Sequence, residues 1–181
     1  NKNIGNIFYK LYYKYIKKQK QEYSHIFNHV TRYLNMWINR KRLEKYYSKF
    51  DTTDHNYVYF PFHVQLDYSL TIRSTEYLNQ LSLVEYVSQT LPSGYFLYIK
   101  EHPASIGGFK YRSVRDIMKK CNNIKFIHPA ENSHNIVQNA DAVLTINSKV
   151  GAESIVSGKE VIALGSSFYQ YSRSIWKVDS L

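Results

Sequence analysis

The chain has 181 residues, 44% hydrophobic and 21% charged, which suits one soluble globular domain with an appendage. Its net charge of +10 is unevenly placed: residues 1–50 hold 12 Lys/Arg against 2 Asp/Glu, and the remainder holds 12 of each. The single cysteine, Cys121, excludes an internal disulfide framework and a Cys-rich zinc site, and no apolar run approaches the ~18 residues that span a bilayer.

No secretory signal is visible, so a cytoplasmic setting is expected. Tyrosine is over-represented, with 18 copies. Alongside abundant Ile, Asn and Lys it reads as compositional drift rather than a binding code. Both ends read as cut, and the expectation is a piece of a longer protein.

From Ile4 to Phe50 there is no proline. Apolar and aromatic residues recur at helical spacing (Phe8, Leu11, Tyr12, Tyr15, then Ile26, Phe27, Val30, Tyr33, Leu34, Trp37), with Lys and Arg between them. This predicts one long or two consecutive basic amphipathic helices over 1–50. Residues 51–56, Asp-Thr-Thr-Asp-His-Asn, read as a polar linker to a domain over 57–181.

Beyond the linker the rhythm changes. Tyr57–Phe60 reads as a strand ended by Pro61. Ser74 to Thr90 reads as a helix, with Ser74 or Thr75 as N-cap. Tyr95–Ile99 is a strand, Ser113–Cys121 a helix, Ile124–Ile127 a strand and Ser133–Asn139 a short helix. Ala142–Ile146 is a strand, Ser148–Ser157 a helix stopped by Gly158, and Glu160–Leu164 a strand. A strand-like stretch precedes Leu181. The strands are continuous apolar runs, and they alternate with helices. That pattern predicts an α/β fold with a parallel sheet covered on both faces. Ligands of such sheets sit beyond the carboxyl ends of the strands.

The loops at that edge carry the candidate residues. After the first strand come His63 and Gln65, either lining a cleft or capping nearby backbone. The next loop holds Lys100-Glu101-His102-Pro103. His102 can donate to a phosphate oxygen, and Lys100 and Glu101 can flank a base or sugar. The competing reading makes His102 a structural cap. At the fourth strand end, Asn147 and Ser148 sit where a strand turns into a helix. Backbone N–H groups and the helix dipole favour an anion there. Gly151 would let a ligand approach the backbone, and Glu153 can accept both ribose hydroxyls. The alternative is a capped structural helix. There is no G-x-G-x-x-G, no P-loop, no G-x-S-x-G elbow and no H-E-x-x-H, so no dinucleotide cofactor, NTP hydrolysis, serine nucleophile or metal is expected.

Taken in order, Phe60-Pro-Phe-His-Val-Gln65, Lys100-Glu-His-Pro103, Ser133-His134, Asn139 to Ile146, Ser148, Gly151, Glu153, Gly158 to Ile162 and Phe168-Tyr169 resemble bacterial capsular polysaccharide biosynthesis proteins, which include Kdo transferases. The resemblance covers about residues 57–169. It implies a GT-B glycosyltransferase with Rossmann-like domains, this region being the C-terminal, donor-binding half. By the same resemblance the donor is a CMP-activated sugar such as CMP-Kdo, used without a metal or other cofactor. His102, Ser148, Asn147 and Gly151 would hold the donor phosphate. Glu153 would hold the ribose, and Lys100 and Glu101 would lie near the base. Asn147 departs from the Ser or Thr that relatives more often carry. The acceptor would be lipid-linked or a polysaccharide. The general base is expected outside this chain, since Asp51 and Asp54 in a linker substitute poorly. Residues 1–50 read either as a solvated helix packed on this domain or on a missing one, or as a segment that meets an anionic inner-membrane surface or a partner, with nucleic acid disfavoured. The alternative to an enzyme is a non-catalytic binding or assembly module.

Overall fold

Every residue of Tyr57–Pro61 is buried, and the reason lies in the layers on either side of it. A computed structural model describes residues 2–17, 26–53, 55–65 and 67–178. Asp54 and Leu66 therefore lie outside the described residues. Seven strands form one sheet: β1 (Tyr47–Ser48), β2 (Tyr57–Pro61), β3 (Phe96–Lys100), β4 (Ile124–Ile127), β5 (Ala142–Thr145), β6 (Glu160–Ala163) and β7 (Ile175–Lys177). Their order is β1-β4-β3-β2-β5-β6-β7, and every pairing is parallel. From β2 the chain steps outward to β3 and β4, then crosses back to β5 on the other side of β2. The direction of winding thus reverses between β2 and β5, which opens a crevice at their carboxyl ends.

The helices are α1 (Lys2–Tyr15), α2 (Ile26–Leu43), α3 (Tyr68–Thr71), α4 (Gln80–Thr90), α5 (Tyr111–Lys120), α6 (Ser133–Asn139) and α7 (Lys149–Val156). Successive side chains of a strand point to opposite faces, and the core divides accordingly. Val58, Phe60, Leu97 and Ile99 join Leu43 of α2, Leu83 and Val84 of α4, and Val114 and Ile117 of α5. Tyr57, Tyr59, Tyr98 and Val143 join Ile136 and Val137 of α6, with α7 packed alongside.

Tyrosine has a structural use in that second layer. The rings of Tyr57 and Tyr98 stack at 4.1 Å, and Phe50 meets both edge-on. Tyr57 donates its hydroxyl to Ile136 O at 2.7 Å, so a polar tip is satisfied inside an aromatic core.

The sheet begins before the polar break. Leu43 is fully buried, and Tyr47 and Ser48 pair with Phe126 and Ile127. The basic segment therefore ends inside the fold. The helix expected from Ser74 starts instead at Gln80, because Asn79 accepts from Ser82 N and caps it; Thr75–Tyr77 forms a separate 3₁₀ turn. The short elements β1 and α3 had no legible period.

Candidate functional site

Three loops leave the carboxyl edge next to the crevice: those after β2, β3 and β5. Since β3 and β5 flank β2, their ends lie about 10 Å apart, within reach of one ligand.

His63 follows β2 directly and is 6% exposed. The Gln80 amide holds its backbone from both sides: His63 N donates to Oε1 at 2.7 Å and Nε2 donates to His63 O at 3.1 Å. The imidazole Nε2 is buried and has no hydrogen-bond partner among the described residues. Burial pushes its pKa down to about 4; the neighbouring Asp67 opposes this and the nearby His102 adds to it. His63 is therefore neutral at pH 7 and carries an orphan polar atom, whose burial depends on Gln80, 17 positions away, and has no local signature.

His102 is exposed and fixed at one nitrogen. Its Nδ1 accepts from Ala104 N at 3.1 Å, capping the 3₁₀ turn Pro103–Ser105. A backbone N–H can only donate, so Nδ1 is bare and the proton of the neutral ring sits on Nε2. The cap and the donor, two readings of this residue, are compatible: the first orients the second. His128 repeats the cap toward Ala130 N, but its Nε2 lies 3.5 Å from Glu44 Oε1, inside the protein's own contacts.

Lys100 and Glu101 were expected beside a base, and both are buried. Lys100 Nζ donates to Ser133 Oγ at 2.8 Å, and burial lowers its pKa. Glu101 is 1% exposed. It accepts from Tyr47 Oη at 2.5 Å and from Gly107 N at 3.1 Å. Desolvation raises its pKa despite those bonds. Its carboxylate is consumed in folding the loop after β3 and in tying β1 to it, which takes it out of a nucleoside role.

At the β5 end, Asn147 donates both amide protons inward, to Ser69 O at 2.9 Å and Ser74 Oγ at 3.0 Å. Only its buried, unpartnered Oδ1 remains, an acceptor that does not suit a phosphate. The role expected of Asn147 as a phosphate donor is thereby corrected. Ser148 is the N-cap position of α7 but makes no side-chain capping bond. Its Oγ lies 3.0 Å from Thr145 Oγ1, which also accepts from Ser148 N at 3.1 Å. When Thr145 donates, the Ser148 hydroxyl keeps its own proton for a ligand.

Gly151 is small for a different reason from the one its sequence position suggests. A Cβ there would stand 2.3 Å from the Tyr169 hydroxyl, which donates to Ser148 O at 2.6 Å. Tyr169, not a ligand, fills the space. Glu153 lies about one turn into α7 and is exposed. Gln65 is half-buried and lines a separate hollow under α2. Asp51 bonds Thr53 and lies near Lys125 in the amino-terminal half of β4, away from this edge.

Sequence reasoning passed over Tyr47, Gln80 and Thr145, whose partners are remote in the chain or internal to a turn. Among the described residues, no cluster of His, Cys, Asp and Glu has the geometry to hold a metal, and no helix is long and apolar enough to cross a membrane.

A family model described as "Capsule polysaccharide biosynthesis protein" matches residues 2–173. Protein FixF of Sinorhizobium fredii (strain NBRC 101917 / NGR234) is 36% identical over 116 residues, which is 62% of this chain and 27% of FixF. Among solved structures, Thermosulfurimonas dismutans KpsC, beta Kdo 2,7 transferase, matches with a TM-score of 0.55 at 22% identity, over 87% of this chain and 47% of that one. The beta Kdo 2,4 transferase of the same KpsC matches at 0.50 and 16% identity, over 86% and 50%. The chain thus spans between 27% and 50% of the length of these relatives. At such identities the two structures speak for the fold, an α/β parallel sheet of Rossmann-like form.

Proposed function

Since the chain belongs to the capsule polysaccharide biosynthesis protein family, we propose that it is the donor-binding part of a glycosyltransferase of GT-B type. The donor is a nucleotide-activated sugar, with CMP-Kdo favoured. The observation that supports this reading is that an exposed donor at His102, an orphan imidazole at His63 and an uncapped helix start at Ser148 follow the ends of three neighbouring strands, β3, β2 and β5.

The chemistry follows from charge. When the glycosidic bond to the donor phosphate breaks, negative charge accumulates on the departing nucleotide. In this reading the Nε2–H of His102, the Ser148 hydroxyl and the first amides of α7 take up that charge, and the α7 dipole adds to them. His63 supplies a further neutral hydrogen-bonding group, and Glu153 receives the ribose. This set works through fixed dipoles and hydrogen bonds and needs no metal. Lys100 acts behind the site by holding Ser133 at the start of α6. The base that activates the acceptor belongs to a part of the enzyme outside this crevice.

Calorimetric titration with CMP, UDP and GDP tests the reading. CMP binding is expected, weakened about tenfold by His102→Ala for the loss of one charge-assisted hydrogen bond. Absence of binding by all three nucleotides at millimolar concentration, with His102→Ala indistinguishable from wild type, would remove the assignment.

A further inference from the structure

The turn from β5 into α7 is held at every residue. Ile146 O accepts from Gly165 N at 2.8 Å, and the Asn147 amide is tied to Ser69 and Ser74. Thr145 Oγ1 accepts from Ser148 N at 3.1 Å. Ser148 O accepts twice, from Gly151 N at 3.1 Å and from Tyr169 Oη at 2.6 Å. Of the bonds on the Ser148 backbone, only the last comes from another element: Tyr169 belongs to the loop that follows β6.

The turn leaves a short set of donors open. A helix offers no intrahelical acceptor to its first amides, here Lys149 N and Val150 N, and Ser148 Oγ makes no capping bond. The peptide joining Ser148 to Lys149 is planar, so whatever holds the Ser148 carbonyl also aims the Lys149 N–H. Tyr169 holds that carbonyl. A hydrogen bond accepted by a carbonyl polarises the amide across the same peptide, so the tyrosine strengthens the donor as well as aiming it. The neighbouring β2 end carries the buried Nε2 of His63, without a partner among the described residues, which points to a ligand independently of the helix.

Tyr169 is built for this contact. It is 8% exposed, and burial raises its pKa, so the hydroxyl keeps its proton. The Phe168 ring meets its ring edge-on at 4.9 Å. A Cβ on Gly151 would stand 2.3 Å from the hydroxyl oxygen and 2.6 Å from Cζ, so α7 carries no side chain where the ring lies. Ser148 O already has its helical partner in Gly151 N, and the tyrosine bond is not required to satisfy it. Its effect falls on the geometry and polarity of the peptide.

We propose that Tyr169 is a positioning residue for the donor phosphate, its hydroxyl acting through the Ser148 carbonyl to orient the first amide of α7 toward the anion. This rests on the donor-binding reading above and brings a fourth loop, the one after β6, into that site.

NMR titration of the 15N-labelled 181-residue chain with CMP, and with cytidine, which lacks the phosphate, tests it. In wild type, CMP should shift the Lys149 and Val150 amides and cytidine should not. Tyr169→Phe should shrink the CMP-induced shift at Lys149 and weaken CMP about fivefold, while any affinity for cytidine stays unchanged. Thr145→Val, which removes the acceptor of Ser148 N, should show the same phosphate-selective loss, and Thr145→Ser should restore most of it. Tyr171→Phe, at an exposed tyrosine two positions on, should change nothing. A purely structural tyrosine would weaken both ligands alike, or lower the urea midpoint while leaving both affinities intact, and either result overturns the proposal. CMP binding that leaves the Lys149 amide unmoved in wild type overturns it too. Wild type that binds no CMP at millimolar concentration removes the donor-binding reading and this inference with it, whereas CMP binding untouched by Tyr169→Phe removes this inference alone.

Discussion

His63 shows burial choosing a protonation state. Its folded pKa, about 4, lies below the unfolded value near 6.5. The stability it contributes is whole above about pH 6.5 and drains away as pH falls toward 4, because the unfolded chain takes up a proton that the fold refuses. The full shift corresponds to about 3 kcal/mol. Urea unfolding at pH 7.5 and 4.5 should show a loss of that order in wild type, on top of other titrations, and a smaller loss in His63→Gln. Equal losses in the two proteins would contradict the burial argument. Glu101 has the opposite sign: with a raised pKa, it favours the fold at low pH and loses that advantage as pH rises through the carboxylate range. Two buried titratable groups at one sheet edge thus pull in different directions. The sequence offered both as ligand-binding candidates, since residue type and strand-end position are the same whether a side chain points into a crevice or under a loop.

The decisive element is α2, and its position depends on Gly107. That residue adopts φ 75° and touches Met36 O and Arg40 N of the helix. Gly107→Ala should therefore cost about 2–4 kcal/mol in urea unfolding, from strained backbone plus displacement of the helix. Gly158 is the control. It has φ 72° with nothing near its absent Cβ, so Gly158→Ala should cost only about 1 kcal/mol for the left-handed backbone. If the two substitutions cost the same, α2 is not seated on the loop as described. The helical spacing of Tyr33, Leu34 and Trp37 was readable in the sequence. That these residues form the solvent face, while Asn39 and Leu43 make the docking contacts, was not, because apolar residues occupy more than one side of α2.

For the whole molecule, the parallel sheet couples segments far apart in the chain. Leu43 and β1 close one flank of it, although a polar break separates them from β2. A chain beginning at Tyr57 would lose a fully buried leucine and the edge strand over β4. It should lose several kcal/mol of stability and unfold at a urea midpoint well below that of the 181-residue protein. An unchanged midpoint would make residues 1–56 a true appendage. The sequence by itself determined the α/β class and the central strands to within a residue or two, because continuous apolar runs of strand length alternate with amphipathic stretches. It also determined which loops reach the carboxyl edge, since parallel strands all end on the same side. Only the tertiary structure decided which polar residues face outward there. His63 is left with an unpartnered nitrogen, Glu101 is turned under its own loop, and Arg32 and Arg42 come to line a cleft. Those outcomes depend on Gln80, Tyr47 and Gly107, partners 6 to 68 positions away in the chain. Hydrogen-bond satisfaction and close packing are properties of folded neighbours, and no local pattern of residues encodes them.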